Sequence, residues 1–534
     1  MTATLSRPTD SAPASPVSSG LARDRQWVAR VAGGAVTGEG APRHTVCTPL
    51  TGEAVAEVPL STLADVEAAY AVARAAQPAW AARPMAERAE ILLAFHDVVL
   101  TRQPTLLDLV QLESGKARGQ AFEEVADVAI VARHYARTAA RTLRPRRRSG
   151  ALPGLSQVVE SRIPKGVVGI VSPWNYPLSL SITDALPALM AGNAVVLRPD
   201  VLGMLTALAA VEMLREAGLP REVLQVVLGD GATIGAAVLD RADYVCFTGS
   251  TPTGRRVAQA AGERLVGASL ELGGKNSLYV AADADLNRAV PGAVRSCFSS
   301  AGQLCISTER VIVHESVYDD FVARFVAATT ALRMGSNLTW GYDLGSLISA
   351  DQLDRVGAHV ADAVAKGATV LAGGRARPDI APFAYEATVL ADVTAAMTCR
   401  DEETFGPVVA IYRVASDEEA IALANDTAYG LNASVWTRDI SRGRRIAGAI
   451  RTGTVNINEG YAAAWGSVAA PMGGMKASGI GRRHGEEGIL RFTESQNVTA
   501  QRLVPIAPAF GLDDRRFAAA LTTSLRVLKA VGWQ

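Results

Sequence analysis

The chain has 534 residues, too many for one core, so two or more structural units are expected. Hydrophobic residues make up 49% and charged residues 20%, the balance of a soluble globular protein. Lys+Arg and Asp+Glu are both 53, so the net charge is zero and gives no sign of a nucleic-acid or membrane surface.

Residues 1–25 are rich in Ser, Thr, Pro and Ala and lack the apolar core of a signal peptide. A disordered tail is expected there. Pro49-Leu-Thr-Gly-Glu53 reads as a turn between two short strands. From Thr62 to about Arg141 the pattern is helical, with Asp65, Glu67, Arg74 and Arg88 on polar faces and Val66, Ala69, Ala73, Ile91 and Leu92 between them. Pro145-Arg-Arg-Arg148 is a basic run that reads as a solvated loop, and Ser156 to Ile163 alternates like a strand.

Next, short β-branched runs alternate with helical stretches. Val167–Val171, Ala194–Leu197, Leu224–Leu228, Tyr244–Phe247 and Ser269–Leu272 are the strand candidates. Thr183–Met190, Thr206–Ala217, Thr233–Leu239 and Pro252–Ala261 are the helices between them. This spacing predicts a doubly wound parallel sheet, whose ligands bind at the carboxyl ends of its strands. Asn175, Arg198 and Gly249 fall just past those ends. Gly229-Asp-Gly231 is followed by Gly235, one residue too late for the dinucleotide fingerprint. Phe247-Thr-Gly-Ser-Thr-Pro-Thr-Gly254 has the order strand, glycine turn, helix start. Nucleotide binding through Ser250 and backbone N–H groups, and plain turn chemistry, both fit it.

A second α/β pattern runs from Arg310–Val313 to Val455–Ile457. The loop Pro471–Gly481 follows. Near the end, Phe517, Leu521, Leu525, Leu528 and Val531 recur at helical spacing among Arg515, Arg516, Arg526 and Lys529. This helix is expected to pack on its own protein, with a membrane surface as the alternative.

Four motifs carry the chemistry. Phe298-Ser-Ser-Ala-Gly-Gln-Leu-Cys-Ile-Ser307 holds Cys305. Leu270-Glu-Leu-Gly-Gly-Lys-Asn276 brings Glu271, Ser172-Pro-Trp-Asn-Tyr-Pro177 brings Asn175, and Glu403-Thr-Phe-Gly-Pro407 brings a further carboxylate. A thiol, a base, an amide donor and a glycine framework are the parts of acyl transfer through a thioester. The other cysteines, at 47, 246, 297 and 399, read as small buried apolar residues. No C-x-x-C pair or His cluster suggests a metal, and the odd cysteine count fits a reducing cytoplasm.

With these residues together, the chain resembles the aldehyde dehydrogenase superfamily over roughly residues 30 to 505. The resemblance rests on Pro173–Pro177, Phe247–Ser250, Glu271–Gly274, Gly302–Cys305, Glu403–Pro407 and Gly473–Gly479. Val196–Asp200, Gly345–Ser349 and Glu459–Trp465 liken it most to the second type of bacterial NADP-dependent succinate-semialdehyde dehydrogenase.

The resemblance implies an α/β fold of three parts. A Rossmann-like cofactor domain takes residues 26–143 and 163–272, and a catalytic domain takes 273–481. Oligomerisation strands take 144–162 and 495–503, in a homodimer or homotetramer, and residues 504–534 are left as an extension with an amphipathic helix. It implies Cys305 as nucleophile, Asn175 as oxyanion donor and Glu271 as the base for hydrolysis. A surface carboxylate is the alternative for Glu271. That glutamate points to water as the acyl acceptor, because relatives that acylate coenzyme A typically lack it. Trp174, Asn175, Arg198, Pro199, Asp200, Val201, Gly249, Ser250, Leu272, Glu403 and Phe405 would bind the cofactor. Arg198, with Val201 where NAD-preferring members often carry Glu, favours NADP, with NAD possible.

The expected reaction is oxidation of a small-molecule aldehyde, succinate semialdehyde foremost, to the free acid. A neutral aliphatic or aromatic aldehyde is the alternative. The two arginines that grip the distal carboxylate in well-studied relatives are here Thr183 and Ser299, so a carboxylate would bind elsewhere, for instance near Tyr461 to Ser467. A non-catalytic binding protein on this fold is the other reading. Loss of Cys305 or Glu271 would mark it, and both are present. Family members also pair a lysine nine residues after the Pro-Trp-Asn asparagine with a late glutamate. Here those positions are Asp184 and Arg483, a pair of reversed polarity.

Overall fold

The structure, a computed structural model, describes residues 25–150, 156–501 and 505–533. The expected disordered tail, apart from residue 25, lies outside the described residues.

The predicted strand–helix alternation forms a six-stranded sheet. From one edge its strands are Gly479–Ile480, Gly267–Glu271, Tyr244–Thr248, Val167–Ser172, Ala194–Pro199 and Leu224–Val226. The last five are parallel, and Val167–Ser172 and Ala194–Pro199 are buried on both faces, as helices on either side require. Their β-branched runs suit that environment. The strand beginning at Leu224 stops at Val226, and the helix expected at Thr233 begins as a wide turn, Gly231–Gly235. The helical region before the sheet divides into Leu63–Ala82, Met85–Thr101, Gln103–Ser114 and Arg118–Leu143. The first of these opens on a capping box, with Thr62 and Asp65 each satisfying the other's backbone N–H.

A seven-stranded sheet follows. Its order is Thr369–Ala372, Thr388–Ala391, Val408–Val414, Thr308–His314, Asn276–Val280, Asn432–Trp436 and Thr454–Ile457, and all but the first strand are parallel to their neighbours. Each large sheet has its own apolar core. The two-residue strand Gly479–Ile480 returns from beyond the second sheet and pairs antiparallel with the edge of the first, Gly479 opposite Glu271. This pairing ties the segment to the strand end that carries Glu271.

Three expectations are corrected. Pro145–Arg148 is not a loop: Arg146–Arg148 pairs with Ser156–Pro164, which pairs on its other side with Thr493–Gln501. Alternate side chains on a strand face opposite ways, so a basic run still presents charge to solvent from a strand. Cys47 is exposed, whereas Cys246, Cys297 and Cys399 are buried as expected. The helix Asp514–Ala530 packs only loosely on its own protein: Phe517, Leu521 and Leu528 are half-buried, Leu525 is exposed, and none of its residues is fully buried.

Candidate active site

The cleft at the carboxyl end of the first sheet holds a cavity of about 550 Å³. Trp174, Asn175, Gly249, Ser250, Glu271, Leu272, Cys305, Glu403 and Phe405 all line it. Residues up to 231 positions apart, from Trp174 to Phe405, thus meet in one place.

Each side chain is held by its own local framework. Cys305 follows a tight turn in which Ser300, Ala301 and Gly302 take left-handed backbone angles, with φ of 52°, 53° and 69°. Gly302 has no alternative, because a Cβ there would run into the Gly406 carbonyl. The Cys305 carbonyl accepts from Asn276 Nδ2 at 2.7 Å. Glu271 ends the strand Gly267–Glu271, and the next N–H, of Leu272, donates to the Ser478 carbonyl at 2.9 Å. A Cβ on Gly479 would strike the Leu270 carbonyl, so the Met-Lys-Ala-Ser-Gly stretch owes its glycine to this close approach. Asn175 Nδ2 donates to the Gln303 carbonyl at 3.0 Å, two residues before the thiol.

Two buried ion pairs that the sequence reading missed fix these loops. Lys116 bonds Glu124 and donates to the Asn175 carbonyl, while Glu124 accepts the N–H groups of Leu178 and Ser179. Lys275 pairs with Glu309, which also accepts the N–H groups of Thr404 and Phe405. Glu403 is thereby brought over Gly273 and Gly274, and Gly274 N–H donates to its Oε1 at 2.8 Å. Phe405 takes a φ of 56° and stands edge-on to Trp174, ring centres 5.5 Å apart. Lys275 and Glu309 are 34 positions apart and Lys116 reaches the Asn175 carbonyl across 59, separations that no local pattern spans, whereas Lys116 and Glu124 are only eight apart and carry no motif.

The electrostatics follow from burial. Glu271 is 7% exposed and its Oε1 has no hydrogen-bond partner among the described residues. Desolvation raises its pKa to about 7, against the pull of Arg483 and Arg491. Burial, with Glu271 and Glu403 adding to it, pushes the Cys305 thiol up to about 12. Glu403 rises to about 8, through burial and then Glu309. A neutral carboxyl can both donate and accept hydrogen bonds, which suits it to hydroxyl groups.

Behind Glu271, the reversed pair of the sequence reading is formed: Arg483 Nε lies 3.0 Å from Asp184 Oδ1. A third member was not foreseen. Arg491 Nη2 donates to the same oxygen at 2.6 Å. Burial disfavours the Asp184 charge, but Arg483 and Arg491 outweigh that and hold its pKa below the usual range. Arg483 also donates to Thr183 Oγ1 at 2.6 Å, so a guanidinium reaches the position where the sequence lacks an arginine. Ser299 is buried close to Tyr461, whose hydroxyl donates to Glu123. Arg295 stacks on the Tyr461 ring and pairs with the same glutamate.

A second cavity, of about 670 Å³, adjoins the first and shares Trp174, Gly249 and Ser250 with it. Arg198, Asp200, Asp240 and Arg256 also line it. Arg198 spends its Nε and Nη2 on the Gly229 carbonyl and leaves Nη1 3.5 Å from Asp200. Pro199 is buried in its strand and Val201 packs against the core of the first sheet, so neither reaches the lining. Arg256, which the sequence reading did not single out, is the second cation there.

The aldehyde dehydrogenase family profile matches residues 36–498. The chain belongs to this family. A *Mycolicibacterium smegmatis* protein provisionally named as an NADP-dependent succinate-semialdehyde dehydrogenase is 52% identical over 479 residues, 90% of this chain and 93% of that protein. A betaine aldehyde dehydrogenase of *Cereibacter sphaeroides* is 40% identical over 456 residues, 85% of this chain and 92% of its own length. Among solved structures, the succinate-semialdehyde dehydrogenase of *Burkholderia pseudomallei* is 35% identical with a TM-score of 0.83, covering 87% of this chain and 96% of that one. An aldehyde dehydrogenase of *Bacillus cereus* in complex with NAD+ is 33% identical with a TM-score of 0.82, covering 87% and 94%. The family accounts for the resemblance seen in the motifs and for the fold.

Proposed function

We propose that this family member oxidises an aldehyde to a free carboxylic acid with NADP, and that succinate semialdehyde is its substrate. The observation that carries the reading is the convergence of Cys305, Glu271, Asn175 and Glu403 on one cavity.

In this reading the Cys305 thiol gives its proton to solvent, and the thiolate sulfur bonds to the aldehyde carbon as the C=O π electrons pass to its oxygen. The resulting oxyanion is held by an Asn175 Nδ2 hydrogen and the Cys305 N–H. A nicotinamide dinucleotide, when bound, supplies the acceptor for the hydride that leaves this carbon as the thioester forms. Glu271 then takes a proton from water, the hydroxide adds to the thioester, and the carbon–sulfur bond breaks to release the acid. The cavity pair suits such a cofactor. Gly249 and Ser250 sit at the start of the helix Thr251–Glu263, where N–H groups favour phosphate. Trp174 and Phe405 offer flat faces beside Cys305, and Glu403 offers a hydroxyl partner.

NADP is favoured by Arg198 and Arg256 at the far cavity and by the name of the mycobacterial relative. Succinate semialdehyde is favoured by the names of that relative and of the *Burkholderia* structure. Its distal carboxylate would look to Arg483, which bonds Thr183, or to Arg295, which stacks on the Tyr461 ring beside Ser299. We place the enzyme in the cytoplasm as a homo-oligomer joined through the exposed strand Thr493–Gln501, with residues 26–143 and 163–272 as cofactor domain and 273–481 as catalytic domain.

The test is absorbance of NADPH on adding succinate semialdehyde, betaine aldehyde, and neutral aliphatic and aromatic aldehydes, with kcat/KM for each. Succinate semialdehyde is expected to lead. A neutral aldehyde ahead of it would overturn the substrate, and no reduction with any aldehyde would overturn the reaction.

A further inference from the structure

The helix Asp514–Ala530 lies beyond the residues matched by the family and takes no part in the active site. It is well capped, with Asp513 accepting from the Arg516 N–H at 2.7 Å, so its fold is locally specified. Yet none of its 17 residues is buried. Phe517, Leu521, Leu525 and Leu528 recur at intervals of four, four and three and share one face. Of these, Phe517, Leu521 and Leu528 are half-buried, Leu525 is 52% exposed, and Val531, next on the same face, is 69% exposed.

The charged residues beyond its first turn are all basic, set among Ala, Thr, Ser and one exposed valine, Val527. Arg515, Arg516, Arg526 and Lys529 occupy the other side, and the only acids nearby, Asp513 and Asp514, sit at the first turn. Exposed aromatic residues bracket it: Phe510 is 88% exposed before it and Trp533 is 50% exposed after it. A single surface matches all three features. It must be anionic over its whole area, apolar beneath, and have a boundary layer that takes aromatic rings. That is an acidic lipid bilayer, met by a helix lying flat in its interface. No described helix is long and apolar enough to cross a membrane, so the contact is lateral. A protein partner would need an apolar groove edged with acids.

We propose that the helix Asp514–Ala530 docks this enzyme reversibly on an anionic membrane surface, with Phe517, Leu521, Leu525 and Leu528 entering the interface and Arg515, Arg516, Arg526 and Lys529 meeting the headgroups. One such helix gives weak attachment, and several in one oligomer bind more tightly by linkage.

The experiment is co-sedimentation of the full-length protein with vesicles of phosphatidylglycerol mixed with phosphatidylcholine, and with phosphatidylcholine alone, over a range of salt. Binding is expected only to the anionic vesicles and is expected to weaken with salt. Arg526→Glu with Lys529→Glu should reduce it at least about tenfold, since each basic residue near such a surface is worth about a factor of five. Leu521→Asp with Leu525→Asp should abolish it. Thermal unfolding and aldehyde oxidation should match the parent in both variants, which shows that they are folded. Failure of the parent protein to sediment with anionic vesicles at low salt overturns the proposal. So does unchanged sedimentation of the leucine variant. A fall in solution mass of that variant by light scattering, with no vesicle binding by the parent, would assign the face to a second copy instead.

Discussion

At the residue scale, the proposed base Glu271 would set the pH behaviour. In that role it works only as a carboxylate, and burial raises its pKa to about 7. Turnover should therefore rise as pH passes upward through about 7. Arg483 is the leading influence that lowers this value, so Arg483→Met should move the limb to higher pH; a kcat–pH profile that does not move would remove Arg483 from this role. Glu271→Gln should leave a pre-steady-state burst of NADPH followed by slow turnover, because the thioester forms but its hydrolysis lacks a base. Cys305→Ala should abolish both phases while retaining NADP affinity by fluorescence titration. The Asp184 cluster calls for a different outcome from that of a simple pair. Asp184→Asn leaves two buried guanidinium groups without their shared anion and should cost about 3–5 kcal/mol in thermal unfolding. Asp184 keeps a lowered pKa when folded, so its contribution is present at neutral pH and is lost as pH falls through that lowered value. Exchanging charges with Asp184→Lys and Arg483→Glu would restore a two-member pair, but the introduced lysine would face Arg491. The double exchange should therefore recover little stability, where a two-residue pair would have recovered part of it.

At the element scale, the two loops that carry Cys305 and Glu403 are locked together at Gly302 and Gly406. Gly302→Ala adds a Cβ where the Gly406 carbonyl lies and at a φ of 69°. It should cost about 1–3 kcal/mol and inactivate the enzyme, because the turn before the thiol must open. Slower alkylation of Cys305, measured against thermal stability, separates a displaced nucleophile from a collapsed fold. Much of this was legible beforehand. The strands of the first sheet and the Asn175 loop past its carboxyl end stand close to their predicted places, because β-branched runs and the turns between them are local signals. The short strand Gly479–Ile480 was not legible: two residues carry no periodicity, and their conformation comes from the edge they complete. Composition alone misread Arg146–Arg148 as a loop, since its pairing partner makes it a strand; only the resemblance had put strands over 144–162.

At the scale of the whole molecule, the cavity proposed for the adenosine end of the cofactor is lined by two arginines, Arg198 and Arg256. Arg198 is already bound to the Gly229 carbonyl, so Arg256 is the freer cation. Arg256→Ala is expected to lower kcat/KM with NADP about tenfold and leave NAD nearly unchanged, the size of one charge-assisted hydrogen bond. Val201→Glu, the substitution suggested by sequence, should shift the cofactor ratio less, because Val201 packs toward the core.

The sequence by itself determined the chemistry: a cysteine, a glutamate and an asparagine in glycine-framed motifs, and a parallel α/β order to hold them. Those features are local, written in neighbouring residues and short periods. The tertiary structure alone decided what lies around them. It brought Arg491 to Asp184, Glu309 to the Phe405 loop, Lys116 to Asn175 and Arg483 to Thr183, and it left the helix Asp514–Ala530 with no fully buried residue. Buried charge pairs join residues far apart in the chain, and no local pattern records a partner that only folding brings within hydrogen-bond reach.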